Sequence, residues 1–359
     1  MAPTQTAAGA NKPAGAYLEY TDHGDIFTQH RFPEQLVDLG EIRMNYGVAG
    51  SPSGPALLMI PGQTMSWWSY ESVMEQLSGM YQVYAVDLRG QGRSTWTPGR
   101  YSLDIIGNDL VRFIDLVIKR PVVVCGLSSG GILAAWLAAY SLPSQILGAV
   151  LEDPPIFSSQ LSPPVGQSAK QGFALPLFRA WTKWLGPQWS IGDEEGFKRG
   201  ITKELPSWFT GAIARATEAG LQTIETGLPP RYYDPGWASA FADGSIDVNC
   251  DQEAMLKQVK VPILLTHHLR YVDPVSGNLI GAVSDLQVAH AKRLVEGTGN
   301  SFTVLSFPKH QHSMHGTDPV TYVTTITNWL AEKGFGPRVT PAVEDKEKRR
   351  YQMPERALG

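Results

Sequence analysis

The chain has little cysteine, little net charge and no long apolar run, and each shortage removes a class of protein. Two cysteines among 359 residues, Cys125 and Cys250, offer neither a disulfide framework nor a thiolate metal site. With 30 basic and 34 acidic residues the formal net charge is −4, which argues against nucleic acid or a membrane surface as the main partner. No apolar stretch approaches the ~18 residues of a membrane span. Residues 1–15 are rich in Ala, Thr, Pro and Gly and lack the apolar centre of a signal peptide. No internal repeat is present. These absences lead us to expect a soluble, cytoplasmic protein, a monomer or homodimer, with no metal and no cofactor.

What is there is a core-forming composition, 43% hydrophobic, long enough for one α/β domain with an insertion or for two domains. After residues 1–15, expected to be disordered, strand-like pieces such as Arg43 to Gly47 appear. Ala56 to Ile60 is a continuous apolar run, the mark of a strand buried on both faces, and it ends in Pro61-Gly62-Gln63. A helix is expected near Tyr70 to Met80, a strand at Gln82 to Val86, and helical spacing at Ile105 to Ile118. Val122 to Leu127 then runs into Gly126-Leu-Ser-Ser-Gly130 and an Ala/Leu/Trp helix from Ile132 to Tyr140. A serine between glycines, with a strand before and a helix after, is the context that exposes a nucleophilic hydroxyl near a helix N-terminus. Cys125 falls on this strand, where a thiol acts as a small hydrophobe.

Ile146 to Leu151 is a further strand, ending in Glu152-Asp153-Pro154-Pro155. Strand–helix alternation then stops from about Phe157 to Cys250, a stretch that is aromatic and helical in character and holds half of the ten tryptophans. It reads as a helical cap between two strands. Alternation resumes at Val261 to Thr266, followed by a long loop and a capping box at Ser284-Asp-Leu-Gln287. The last strand is Ser301 to Phe307, followed by Pro308-Lys-His-Gln-His-Ser-Met-His315 and a final helix through Leu330. Such alternation implies a mostly parallel sheet with helices on both faces and a ligand site at the strands' carboxyl ends.

Four features, in this order, resemble the α/β-hydrolase superfamily over roughly residues 40–332. They are Pro61-Gly62-Gln63, Asp87-x-Arg-Gly-x-Gly-x-Ser94, Gly126-x-Ser-x-Gly130, and His312-Ser-Met-His-Gly-Thr-Asp-Pro319. Pro61 departs from the usual pattern, where histidine precedes the glycine. The resemblance implies a doubly wound α/β-hydrolase core at 16–156 and 251–335, an inserted helical cap at 157–250, and a C-terminal tail at 336–359.

It also implies roles. Ser128 is the expected nucleophile, which needs a base to remove its proton. His310, His312 and His315 all lie in the expected base loop; the pattern favours His312. Together they lack the companion ligands of a zinc site. The acid in most relatives follows the strand that is here Val261 to Thr266, where Asp273 stands nearest. A minority arrangement, found in haloalkane dehalogenases and zearalenone lactonases, places it after the strand beyond the nucleophile helix. That position falls on Asp153, which we favour, with Asp273 as the alternative and Glu152 third. The oxyanion hole falls to the backbone N–H groups of Gln63 and Ser129. Asp87 and Arg89 to Ser94 read as scaffold, with Arg89 paired locally. Trp67, Leu127, Trp184, Trp189 and Trp208 are expected to line the substrate site.

The implied activity is serine hydrolysis of an ester or lactone in a hydrophobic small molecule, with a site layout resembling zearalenone-type lactonases. A C–C bond hydrolase with the same residues, or a slow-hydrolysing receptor on the same fold, would carry the same pattern.

Overall fold

Runs of β-branched and aliphatic residues form the strands because both faces of the sheet are covered. The computed structural model describes residues 30–190, 199–201, 203–205, 207–221 and 233–336, with the backbone alone for 186–190. The proposed N-terminal disorder at 1–15 and nearly all of the tail at 336–359 lie outside these residues. The strands are β1 (Glu34–Asp38), β2 (Arg43–Ala49), β3 (Ala56–Ile60), β4 (Gln82–Val86), β5 (Val122–Leu127), β6 (Ile146–Glu152), β7 (Ile263–His267), β8 (Tyr271–Val272), β9 (Leu279–Ile280) and β10 (Phe302–Ser306). Eight of them form one sheet in the order β1-β2-β4-β3-β5-β6-β7-β10, and β8 pairs with β9 as a separate hairpin inside the loop expected after β7. The β1–β2 and β2–β4 pairings are antiparallel; from β4 through β10 the pairing is parallel.

The helices are α1 (Glu71–Leu77), α2 (Leu103–Phe113), α3 (Ser129–Tyr140), α4 (Ala174–Ser190), α5 (Ser207–Glu218), α6 (Gly236–Asp243), α7 (Gln252–Leu256), α8 (Asp285–Glu296), α9 (Met314–Thr317) and α10 (Pro319–Glu332). The period of two along each strand sorts its side chains between two cores. Leu58, Ile60, Val122, Val124, Ala149 and Leu151 pack with α2, α3 and α8. Leu57, Met59, Val123, Cys125 and Val150 pack with α1 and α10 on the opposite face. Cys125 is wholly buried and unpaired, as expected of a core thiol. The capping box at Ser284 and Gln287 is formed and opens α8. The helix expected to reach Ile118 instead leaves α-geometry after Phe113, where a wider π turn ends at Lys119 with φ of +58°.

The insertion between β6 and β7 opens with an irregular stretch at 153–173 and then carries α4, α5, α6 and α7. It shares its core with the sheet. Phe178, Tyr233, Trp237 and Phe241 join the cluster above α2 and α3. A smaller cluster, Ala212, Leu269 and Ile280 with Trp208 and Phe209 against it, seats α5 on the β8–β9 hairpin. No described helix is long and apolar enough to cross a membrane.

Candidate active site

The turn at Ser128 is built by exclusion of side chains. A Cβ on Gly126 would lie 2.0 Å from the Gly130 carbonyl oxygen, and one on Gly130 would lie 2.3 Å from that of Ile60. Only glycine fits at either position. Ser128 itself holds φ of +55° and ψ of −123° just before α3. A non-glycine residue in that region costs on the order of 1–3 kcal/mol and persists where its surroundings over-determine it. Here the Ser128 N–H donates to the Glu152 carbonyl at 2.9 Å, and that carbonyl belongs to the last residue of β6.

Asp153 follows at once, also left-handed at φ of +41°. Its side chain is buried and accepts two hydrogen bonds, from His312 Nδ1 to Oδ2 at 2.7 Å and from the His268 N–H to Oδ1 at 3.0 Å. Burial pushes this carboxyl up, but the His312 hydrogen bond and the nearby His268 outweigh it and hold the group below the usual aspartate range. His312 thus offers its Nδ1 to an acceptor-only group, which fixes the proton there. The His312 side chain is 35% exposed, against 2% for Asp153. His268 buttresses the same loop: its Nδ1 lies 2.9 Å from both the Gln311 and His312 carbonyl oxygens, and its Nε2 lies 2.9 Å from Thr266 Oγ1.

The alternative acid, Asp273, is committed elsewhere. Arg215 on α5 grips it at 2.6 and 2.9 Å, and Ser276 donates to it twice, from N at 2.8 Å and Oγ at 2.6 Å. The Arg215 guanidinium and these donors hold its carboxyl well below the usual range. Asp273 therefore ties α5 of the insertion to the loop that carries β8 and β9. The third acid considered, Glu152, pairs instead with His315: Oε2 lies 2.7 Å from Nδ1 and Oε1 accepts the backbone N–H at 2.9 Å. Both side chains are completely buried. His310 sits beside Asp318 at 3.3 Å.

Gln63 stands in the turn after β3. A Cβ on the preceding Gly62 would be 3.1 Å from Ser128 Cβ, so the turn runs close to the serine and leaves little room for a side chain there. Among the described residues neither the Gln63 nor the Ser129 N–H has an acceptor, and Ser129 opens α3, where the helix dipole favours negative charge. The turn is held from two sides. Oriented with its nitrogen inward, the Gln91 amide donates to the Gly62 and Met65 carbonyls at 3.0 and 2.8 Å. Tyr233, from the insertion, donates its hydroxyl to Gln63 Oε1 at 2.5 Å. Its neighbour Asp234 accepts from Tyr101 and donates its N–H to Gly90 at 2.8 Å.

Two expected pocket residues offer no surface to a substrate. Trp67 is wholly buried under Gly47, with Nε1 bonded to Glu34 at 2.7 Å. Leu127 is wholly buried at the end of β5. Trp184 is half-buried beneath Gly200, and Trp208 packs edge-on to Phe209 on the small cluster. The Trp189 side chain lies outside the described residues. The scaffold reading of the 87–94 turn holds. Asp87 accepts from the N–H groups of Trp67 and Arg93, and burial pushes its carboxyl up to about 7. Arg89 pairs less locally than expected, with Asp109 at 2.5 and 2.7 Å and Glu41 at 3.1 Å. Sequence reasoning missed His268 and Tyr233, which carry no motif and matter through contacts distant in the chain.

The sheet order, the strained serine after β5 and the pair formed by the loops after β6 and β10 define the α/β-hydrolase fold. Residues 55–184 match the family model for that fold. Over 102 residues the chain is 30% identical to 3-oxoadipate enol-lactonase 2 of Acinetobacter baylyi, covering 28% of this chain and 38% of that one. Over 308 residues it is 25% identical to 2-(acetamidomethylene)succinate hydrolase of Mesorhizobium japonicum, covering 85% and 98%. A solved structure of an E-2-(acetamidomethylene)succinate hydrolase superposes with a TM-score of 0.55 at 20% identity, over 84% of this chain and all of that one. The first of these matches spans little more than a third of its relative's length.

Proposed function

We propose that the protein is a serine hydrolase that cleaves an ester or lactone of a hydrophobic small molecule through an acyl-enzyme. The observation that carries this reading is the 2.7 Å contact of His312 Nδ1 with buried Asp153, set one residue from the carbonyl that holds Ser128. In this mechanism Ser128 Oγ attacks the carbonyl carbon and His312 Nε2 takes its proton. Asp153 stabilises the imidazolium, and the N–H groups of Gln63 and Ser129 receive the oxyanion. His312 then protonates the leaving oxygen, and water, activated by the same histidine, frees the acyl group. Each oxyanion donor of this kind contributes roughly 3 kcal/mol to the transition state.

The aromatic insertion over the strand ends favours an apolar substrate. A lactone is our finer reading, because the acid follows β6 as in zearalenone-type lactonases and because one partial relative is an enol-lactonase. Steady-state turnover of a p-nitrophenyl ester, abolished in Ser128→Ala, tests the reaction; a panel of macrolactones and aryl esters tests the substrate class. Single-turnover release without steady-state turnover would instead identify a receptor. Cleavage of a C–C substrate with no ester activity would identify the related hydrolase chemistry.

A further inference from the structure

Beside the pair at His312 the structure holds a second carboxylate–imidazole pair, Glu152–His315, that the reaction above does not use. Glu152 and Asp153 are consecutive, as close in sequence as residues can be, and they hold histidines three residues apart. In a regular strand neighbouring side chains point to opposite faces. Asp153 leaves strand geometry at φ of +41°, and both carboxylates reach the 312–315 loop.

Glu152 touches two of the site's loops directly and reaches the third through His315 and Tyr70. Its carbonyl accepts the Ser128 N–H at 2.9 Å. Its carboxylate accepts both the backbone N–H and Nδ1 of His315, at 2.9 and 2.7 Å. The His315 ring stacks on Tyr70 with 4.0 Å between centroids and 16° between planes, and Tyr70 donates its hydroxyl to the Ile60 carbonyl at 3.0 Å. Ile60 is the residue from which the Pro61-Gly62-Gln63 turn departs. Tyr322 also meets the ring edge-on. Among the described residues, His315 Nε2 and the Tyr322 hydroxyl have no hydrogen-bond partner.

Stability is not the whole account of this arrangement. A buried ion pair is frequently no more stable than apolar side chains of the same volume, because desolvation offsets the attraction. What a two-point hydrogen-bonded pair adds is direction: it fixes distance and angle, which an apolar contact leaves looser. We infer that Glu152 and His315 are positioning residues, which set the His312 imidazole against Ser128 and the oxyanion turn without touching substrate. This inference rests on the serine-hydrolase reading.

The test compares Ser128→Ala, Glu152→Gln, His315→Asn and His315→Leu on one p-nitrophenyl ester, each scaled to folded protein by thermal melting. Asparagine places its amide nitrogen where Nδ1 stands and can still donate to Glu152; leucine cannot. His315→Leu and Glu152→Gln are expected to lower kcat by roughly 10²-fold, the scale of a 1 Å misplacement, with KM within about two-fold. His315→Asn is expected to recover most of kcat. If His315→Leu does not fold, Glu152→Gln, nearly isosteric, decides. Wild-type kcat in a folded Glu152→Gln or His315→Leu overturns the inference, as does equal loss in the Asn and Leu variants. Turnover that survives in Ser128→Ala would overturn the hydrolase reading itself.

Discussion

Replacing Asp153 by asparagine tests the site at its most specific point. The carboxylate accepts from the His268 N–H through one oxygen and from His312 Nδ1 through the other. Asparagine keeps the size but has one acceptor and one donor. If its oxygen keeps the fixed backbone N–H of His268, its NH2 faces His312 Nδ1. Two donors cannot share that contact, so the imidazole proton moves to Nε2. Histidine then has no lone pair where Ser128 needs one, and the counter-charge for the imidazolium is gone as well. The same change in a serine–histidine–aspartate site lowers kcat by about 10⁴-fold. At 1.36 kcal/mol per factor of ten this is about 5 kcal/mol of transition-state stabilisation. Steady-state kinetics on an aryl ester, with Asp273→Asn as the companion, reads the result. Asp273→Asn is expected to keep kcat per folded molecule, because its partners are Arg215 and Ser276. An Asp153→Asn enzyme within ten-fold of wild type, or a large kcat loss confined to Asp273→Asn, refutes the reasoning.

Further predictions follow from neighbouring contacts. Tyr233→Phe removes the hydrogen bond to Gln63 Oε1; at about 1 kcal/mol for such a bond, kcat should fall roughly five-fold if the oxyanion donor drifts, and unchanged kcat would show that Gln91 alone holds the turn. Gly126→Ala puts a Cβ 2.0 Å from the Gly130 carbonyl oxygen. The expected cost is about 3 kcal/mol, visible as insoluble or strongly destabilised protein, and a normal melting temperature would contradict the packing described. Glu152 and Asp153 both have carboxyls lowered below their unfolded values, each against the opposing effect of burial. The unfolded chain therefore binds more protons as pH falls through this range. Their contribution is present above about pH 4 and lost on acidification below it. Urea unfolding between pH 6 and 3 should show this fall, with a shallower slope in Glu152→Gln.

The order of strands and helices was legible because the sheet is covered on both sides. A strand such as Ala56 to Ile60 must then be apolar throughout, and its turn residues stand out by contrast. The Ser128 turn was legible for a similar local reason: its glycines are demanded by backbone atoms four or five residues away and by the adjoining strand end. Trp67 was misread because an aromatic beside a site-forming turn looks the same in sequence whether it faces a ligand or the core. Only the contact with Gly47 and Glu34 shows which.

The carboxylate–histidine pairings belong to a different level. Asp153, Asp273 and Glu152 are equally capable carboxylates in sequence, and His310, His312 and His315 equally capable bases. Their pairings span 159 residues for Asp153 with His312 and 163 for Glu152 with His315. Local chemistry selected the serine, its two glycines and the strand that presents them. The partners were decided by where the parallel register of β5, β6, β7 and β10 brings the strand ends together, and no short-range pattern encodes that register.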